Sequence, residues 1–340
     1  MKKHRLNSIL YGCLAFLIVC LLGVLTDCNP VDTTPNSSIE TSRYQPVTID
    51  NCGIVTTYQQ PPSRVVTMNQ AATEVMLALG LENRMVGTAY VDDGVLPQYQ
   101  QAYTQIPVLA EKYPSREVLL GAEPDFVYAA YISAFDDSAA GSGAELTDLG
   151  IHSYLSRTAC EPSVIGEFAT VEDVFQEIEE IGKLFAVEDR SQQLINELRS
   201  RLQQVRSDLG TINSTKRIFW YDSEDPPYTA ACCGIPNYII EQVGGENIFK
   251  DVKTSDAWVH VNWEDVIDRN PEAIVLIDAD WTKAVEKQQL LQSNPAYATI
   301  EAVQQQQFVT LGFSYSTPGI RNVDGIERLA KALYPERFKE

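Results

Sequence analysis

Between residues 189 and 209 the apolar positions are Leu194, Ile195, Leu198, Leu202, Val205 and Leu209. Steps of one, three and four hold them on one stripe of a 3.6-residue helix, with charged and amide side chains around the rest. Asp189 followed by Gln192 predicts a capping box, and Gly210 stands where such a helix stops. At 1.5 Å per residue the helix would span roughly 30 Å, about the diameter of a small domain. That length suits a strut between two lobes, although a long core helix is the blander reading of the same stripe.

What flanks the helix favours the strut. Before it the chain reads Ser115-Arg116-Glu117-Val118-Leu119-Leu120-Gly121-Ala122-Glu123-Pro124-Asp125-Phe126-Val127. After it comes Asn262-Trp263-Glu264-Asp265-Val266-Ile267-Asp268-Arg269-Asn270-Pro271-Glu272-Ala273-Ile274. Each has a polar cap, a Glu, a short amphipathic helix, a Pro, an acid and an apolar strand. The offset from Glu117 to Glu264 equals that from Pro124 to Pro271, which marks an internal repeat across the strut.

On both sides, short apolar runs alternate with helical periods. Strands are expected at 63–67, 85–90, 106–109, 126–130 and 151–155, with helices after 69, from 117 and near 139–149. Thr170 caps a helix carrying Val171, Val174, Phe175, Ile178, Ile181 and Leu184, interrupted near Val187 before the strut. The second half continues with strands at 217–221, 273–277 and 308–311, and helices at 236–243, from 264, at 283–291 and at 323–333. The alternation predicts an α/β chain of two doubly wound lobes joined by a long, rigid linking helix. The boundaries expected are 46–169 for the first lobe, 170–210 for the linking helices and 211–340 for the second.

Composition adds constraints. The chain has 340 residues, 44% of them hydrophobic, enough for two real cores. A formal charge of −20 leaves no basic surface to neutralise phosphates and excludes a nucleic-acid partner. Lys2, Lys3 and Arg5 precede an apolar run of about 17 residues from Ile9 to Leu25, as in an export signal occupying 1–27. The run is also near the lower length for spanning a bilayer, so an uncleaved anchor stays open. Val24-Leu25-Thr26-Asp27-Cys28 resembles a bacterial lipoprotein cleavage box with Cys28 as the lipidation site, departing from it at Asp27. Residues 28–45, rich in Pro, Ser, Thr and Asn, read as a flexible tether. A periplasmic or cell-surface location is expected, membrane-associated through a lipid or the N-terminal run.

Export implies an oxidising compartment for Cys52, Cys160, Cys232 and Cys233. Four cysteines allow three pairings. Cys52 with Cys160 is expected because the two bracket the first lobe, and adjacent Cys232 and Cys233 either bridge or stay thiols. No metal site is expected: the three histidines, His4, His152 and His260, are scattered. The acids Asp92-Asp93 and 222–225 read as solvated loops. There is no phosphate loop, Gly-x-Ser-x-Gly elbow or dinucleotide fingerprint, and no His lies near Cys232-Cys233 in sequence, so an enzyme is not expected.

The order of elements, with Arg64-Val65-Val66 leading to Ala72-Thr73-Glu74 and Leu79-Gly80, Val86-Gly87 with Tyr90, Glu117 through Pro124-Asp125, Gly244-Gly245-Glu246-Asn247-Ile248-Phe249 and Trp258 before Glu264, resembles the helix-linked periplasmic binding proteins of ABC importers. It is most similar to the branch that handles ferric siderophores, haem and vitamin B12. The resemblance implies a cleft between the lobes, a ferric chelate or corrinoid as ligand, no covalently bound cofactor, and a monomer that docks on a permease dimer with its ATPase. A bulky chelate needs flat apolar contact, so aromatic side chains at strand ends are the candidate lining: Tyr90, Tyr113, Tyr128, Tyr131, Trp220, Tyr221, Trp258, Trp281 and Tyr315. Tyr90 and Trp258 match positions that contact ligand in vitamin B12-binding relatives. Strand alternation should bury one of Trp220 and Tyr221 and free the other. The resemblance also places Arg321, in the turn Ser316-Thr317-Pro318-Gly319-Ile320-Arg321, against an anionic chelate, and pairs Glu117 and Glu264 with permease arginines. The alternative on the same scaffold is a cell-surface module for metal or haem binding, adhesion or electron transfer.

Overall fold

The computed structural model describes residues 44–160, 169–252 and 257–338, all within one compact unit, Tyr44–Glu340. The export signal, Cys28 and nearly all of the tether lie outside the described residues. At the edge of the tether, the Tyr44 hydroxyl donates to the Leu184 carbonyl at 3.2 Å.

A hairpin of β1 (Val47–Asn51) and β2 (Ile54–Tyr58) opens the chain, turning at Cys52 (φ 53°) and Gly53 (φ 82°). The strands β3 (Val65–Met68), β4 (Met85–Ala89), β5 (Val108–Ala110), β6 (Phe126–Ala129) and β7 (His152–Leu155) form a parallel sheet in the order β5-β4-β3-β6-β7. The second sheet contains β8 (Lys216–Ser223), β9 (Tyr228–Ala230), β10 (Gly245–Asn247), β11 (Trp258–His260), β12 (Ala273–Asp278) and β13 (Phe308–Gly312). Its order is β11-β9-β8-β12-β13, with β10 beside the start of β8. Only β9 runs against the others, antiparallel to both β8 and the edge strand β11. Cys52 is joined to Cys160, tying the hairpin to the end of the first sheet, and Cys232 is joined to Cys233.

Both sheets are covered on both faces, which overturns the expectation for β8. Trp220 is 0% and Tyr221 1% exposed. Alternation does send them to opposite sides, but each side is a core: Trp220 packs towards the linking helices and Tyr221 towards Phe219 and Trp263. A central parallel strand has no solvent face to offer. Neither residue lines a cleft. Tyr128 is likewise withdrawn, fully buried with its hydroxyl bonded to the Glu177 carboxylate.

The linking region is two helices, Val171–Leu184 and Glu188–Leu209. Thr170 and Asp173 form a capping box on the first, the Thr170 N–H donating to Asp173 at 2.8 Å. The box expected at Asp189 and Gln192 is absent: the cap falls two residues earlier, at Val187, and the Gln192 amide donates instead to Asn196. Asp189 then lies inside the first turn, where the helix dipole still favours a carboxylate. Ala186 (φ 54°) reverses the chain between the helices. They approach so closely that a Cβ on Gly182 would lie 2.2 Å from Ser191 Oγ.

The long helix is bolted to both lobes. Near its start Arg190 donates to the carbonyls of Leu79 and Gly80, each at 3.1 Å. Further on, Arg201 pairs with Asp324 and Glu327 of the last helix, Asn322–Leu333, and Arg206 reaches Gln242 at 2.6 Å. Ile195, Leu198, Leu202, Val205 and Leu209 are buried in a core shared with Val65 of β3 and Trp220 of β8.

A second link runs through the interior. Glu74, on the helix Gln70–Ala78, receives the Arg321 guanidinium through both carboxylate oxygens, at 2.8 and 2.5 Å. Arg321 also donates to Gly94 O and Ser314 Oγ, and it is only 5% exposed. Its expected place against an anionic chelate is therefore corrected: its donors are spent on joining the lobes. Removing one partner of a buried pair strands the other charge, at a cost of about 3–5 kcal/mol, whereas replacing both by apolar groups is often nearly neutral. Arg321→Ala should accordingly lower unfolding stability in guanidinium titrations by about that amount, and Glu74→Leu/Arg321→Met by much less.

Candidate functional site

Parallel strands deliver their C-terminal ends to one side of each sheet, and the loops leaving those ends meet between the lobes. From the first lobe come Asn69 after β3, Tyr90 after β4, Lys112 and Tyr113 after β5, and Tyr131 after β6. From the second come Asp222 near the end of β8, Trp281 after β12 and the Phe313-Ser314 turn after β13. Asn69 (φ 74°) and Tyr90 (φ 56°) adopt left-handed backbone at these ends, strain that an ordinary connection would avoid.

The side chains interlock. Tyr90 and Tyr113 meet edge to face with centroids 4.8 Å apart, and Tyr113 donates to Asn69 Oδ1 at 3.2 Å. Trp281, half exposed at 51%, meets Phe313 with centroids 4.8 Å apart. The Lys112 ammonium lies over both walls, 4.2 Å from the Tyr90 ring centre and 5.6 Å from that of Trp281. The Tyr131 side chain comes near Thr317 across the junction, and burial raises its hydroxyl above the ordinary tyrosine range. Asp93 accepts from Ser314 N at 2.9 Å and Ser314 Oγ at 2.5 Å. Asp93 is thus no solvated loop residue and Asp222 is only 6% exposed, which corrects the loop reading at those two positions, while Glu224 and Asp225 are exposed as expected.

Burial sets the electrostatics. It pushes Asp92 up to about 6, against the pull of the Lys112 ammonium, and raises Asp222 above the usual carboxylate range. It also pulls Lys287 down to about 8, while the Lys287 ammonium spends its donors on the carbonyls of Asp222 and Ile277 and on Thr282 Oγ1.

Of the candidate aromatics, Tyr90, Tyr113, Tyr131 and Trp281 come together here. Tyr315 faces the last helix instead, with the Arg328 guanidinium 4.6 Å from its ring centre. Trp258 belongs to the edge pair of the second sheet and stacks on Tyr228, centroids 5.7 Å apart. His260 bonds to Glu224 at 2.8 Å. Among the described residues no group of three or more His, Cys, Asp or Glu is arranged to hold a metal ion. Sequence reasoning missed Lys112, Asn69 and Phe313; their only signal was position just past a strand end. An apolar groove of about 650 Å³, lined by Cys52, Ile132 and Phe135, lies on the first lobe alone and outside the junction.

The repeat extends into a symmetric clamp. At the head of β3, Arg64 donates through Nε to Glu123 O, and its N–H is held by the Asp125 carboxylate. In β8, Arg217 donates through Nε to Asn270 O, and its N–H is held by Glu272. Glu123 (φ 48°) and Asn270 (φ 43°), both left-handed, each end the repeat helix at the matching position. Those helices, Arg116–Gly121 and Trp263–Arg269, carry Glu117 and Glu264 at the same second position. One follows the end of β5. The other follows His260, which pairs with Tyr228 beside the end of β8. Both glutamates therefore sit on the strand-end side of their sheets, exposed and in no ion pair among the described residues.

A carboxyl with a raised folded-state pKa binds its proton more tightly folded than unfolded, so Asp92 adds stability as pH falls through about 6 and withholds it above. Asp222 acts in the same direction, so the decisive quantity is a difference between proteins. Asp92→Asn should exceed the wild type at pH 8 by about 1 kcal/mol, after allowance for solvent screening, and the gap should narrow as pH falls through about 6 and nearly close at about pH 3, below the unfolded value of 3.8. Denaturant midpoints at the two pH values measure it.

Residues 65–315, well over half the chain, match the periplasmic binding protein family. The chain is 26% identical over 317 residues to an ABC transporter substrate-binding lipoprotein of Bacillus subtilis, YvrC, covering 92% of this chain and 93% of that protein. It is 23% identical over 344 residues to a cobalamin-binding protein of Halobacterium salinarum, covering 98% and 86%. Among solved structures it superposes on an ABC-type Fe3+-hydroxamate transport protein of Saccharomonospora viridis with a TM-score of 0.69 at 25% identity, covering 85% of this chain and 99% of that one. With two lobes, a bolted linking helix and strand ends gathered between them, the chain belongs to the periplasmic binding protein family, whose members are substrate-binding proteins and not enzymes.

Proposed function

We propose that the chain captures a compact metal chelate, a ferric siderophore or a corrinoid, between its lobes and hands it to an ABC importer. The observation that carries the reading is the pair Glu117 and Glu264: identical repeat positions, the same side of the molecule as the junction, exposed, and in no ion pair among the described residues. Helix dipoles explain one acidic residue in a first turn, worth about 0.3–1 kcal/mol, but not two matched across lobes beside a cleft. Carboxylate–Arg pairing is directional and roughly twice as strong as a neutral hydrogen bond, so two such contacts set a docking register on a dimeric permease with its ATPase. The aromatic group of Tyr90, Tyr113, Tyr131 and Trp281 supplies flat apolar surface for the chelate. The likeness to a cobalamin-binding protein and to an Fe3+-hydroxamate transport protein supports the same ligand classes.

In this reading the protein works outside the cytoplasm as a monomer. It is held at the membrane through Cys28 or an uncleaved N-terminal run. A surface metal- or haem-binding or adhesion module is the competing reading, and it requires no permease.

The test replaces Glu117 and Glu264 by Ala together. Uptake of the chelate should be abolished while affinity and melting temperature stay near wild type; intact uptake would remove the docking role. In parallel the right chelate should quench tryptophan fluorescence, and Tyr90→Ala should weaken binding by about 2 kcal/mol. Unchanged affinity in both Tyr90→Ala and Trp281→Ala would remove the cleft assignment.

A further inference from the structure

We propose that the junction admits neutral or positively charged chelates and excludes anionic ones, with Asp92 and Asp222 setting that preference; the proposal rests on the chelate reading above. The nearby positive groups are already engaged. Arg321 is locked into Glu74, Lys283 pairs with Asp280 at 2.9 Å, and Lys287 gives its donors to three oxygens beneath the surface. Lys112 is the cation an anionic ligand would use, yet it rests on two aromatic faces and is opposed by Asp92.

The negative groups are not satisfied to the same degree. Asp222 accepts from Ser223 through Oδ2, while its buried Oδ1 has no hydrogen-bond partner. Buried acceptors are nearly always paired, so an unpartnered one calls for a donor or a cation beyond the Lys287 ammonium already acting on it. Asp92 is half-buried at the same junction. The faces of Tyr90 and Trp281 present the negative side of their quadrupoles, and the Lys112 ammonium shows that they hold a cation. A tris-catecholate, or a haem carrying propionates, would set like charge against desolvated carboxylates, a juxtaposition that disfavours binding. A hydroxamate chelate or a corrinoid brings none. Lys112 acts as a tethered cation that leaves the aromatic walls when a ligand enters.

The experiment titrates the full chain in detergent by tryptophan fluorescence with two charge pairs and one anion. The pairs are a linear ferric trihydroxamate with a terminal ammonium against its N-acetylated neutral form, and aquocobalamin against cyanocobalamin. The anion is a ferric tris-catecholate. At least one pair should bind, its cationic member no more weakly than its neutral one, and the catecholate roughly ten-fold or more weakly. Asp92→Asn and Asp222→Asn should each reduce affinity for the cationic member several-fold relative to its neutral twin, and Lys112→Met should raise it. Should Asp222→Asn fail to fold, Asp92→Asn still decides the charge comparison. Catecholate binding as tight as the others, or a cationic-to-neutral ratio unmoved in Asp92→Asn, overturns the charge preference and leaves the chelate reading standing. Binding of none of the five overturns the chelate reading and the preference with it.

Discussion

Glu74 and Arg321 come from opposite ends of the chain and meet where water is excluded. Their pairing fixes more than itself. Glu74 also accepts from Leu96 N, which orders the loop after Asp93 and Gly94, and that loop carries the Asp93 contact to Ser314. Arg321 stands at the start of the last helix, whose Asp324 and Glu327 receive Arg201 of the strut. One buried pair thus connects the first lobe, the cleft floor, the last helix and the linking helix in a closed circuit. Hinged closure needs a few connecting residues free to change backbone angles. Here the connection is a continuous helix, and the floor beneath it is cross-bonded.

The two lobes repeat each other in their frame and differ in their lining. Arg64 and Arg217 hold equivalent carbonyls, and Asp125 and Glu272 hold equivalent N–H groups, because each first strand must be aligned with the helix end that precedes its neighbour. The lining has no such constraint. The first lobe contributes tyrosines and a lysine; the second contributes a tryptophan, a phenylalanine and a buried acid.

How far the sequence could be read follows the range of the interactions. The strut and the repeat were visible because helical periodicity and a constant offset are local patterns. Strand positions were legible for the same reason, although the β1–β2 hairpin, each strand of which buries a single residue, and the short β9–β11 strands carry too little apolar pattern to be read. Trp220 and Tyr221 misled because alternation assigns sides but does not say whether a side is wet. Arg321 misled because its partner lies 247 positions away, and no local pattern announces Glu74. Lys112 went unnoticed since a lone lysine in a loop is unremarkable until Trp281 is brought beside it.

Pinned lobes also limit what the protein can tell others. A molecule that changes shape on loading lets a partner sense cargo by fit, through the difference in affinity for two forms. With Arg321 spent on Glu74 and the strut bolted at both ends, the spacing of Glu117 and Glu264 hardly depends on what lies between them. Under the docking role proposed for that pair, filled and vacant carriers would compete for one berth on nearly equal terms. Discrimination then falls to the cargo's own exposed edge, or to the few side chains that shift around it.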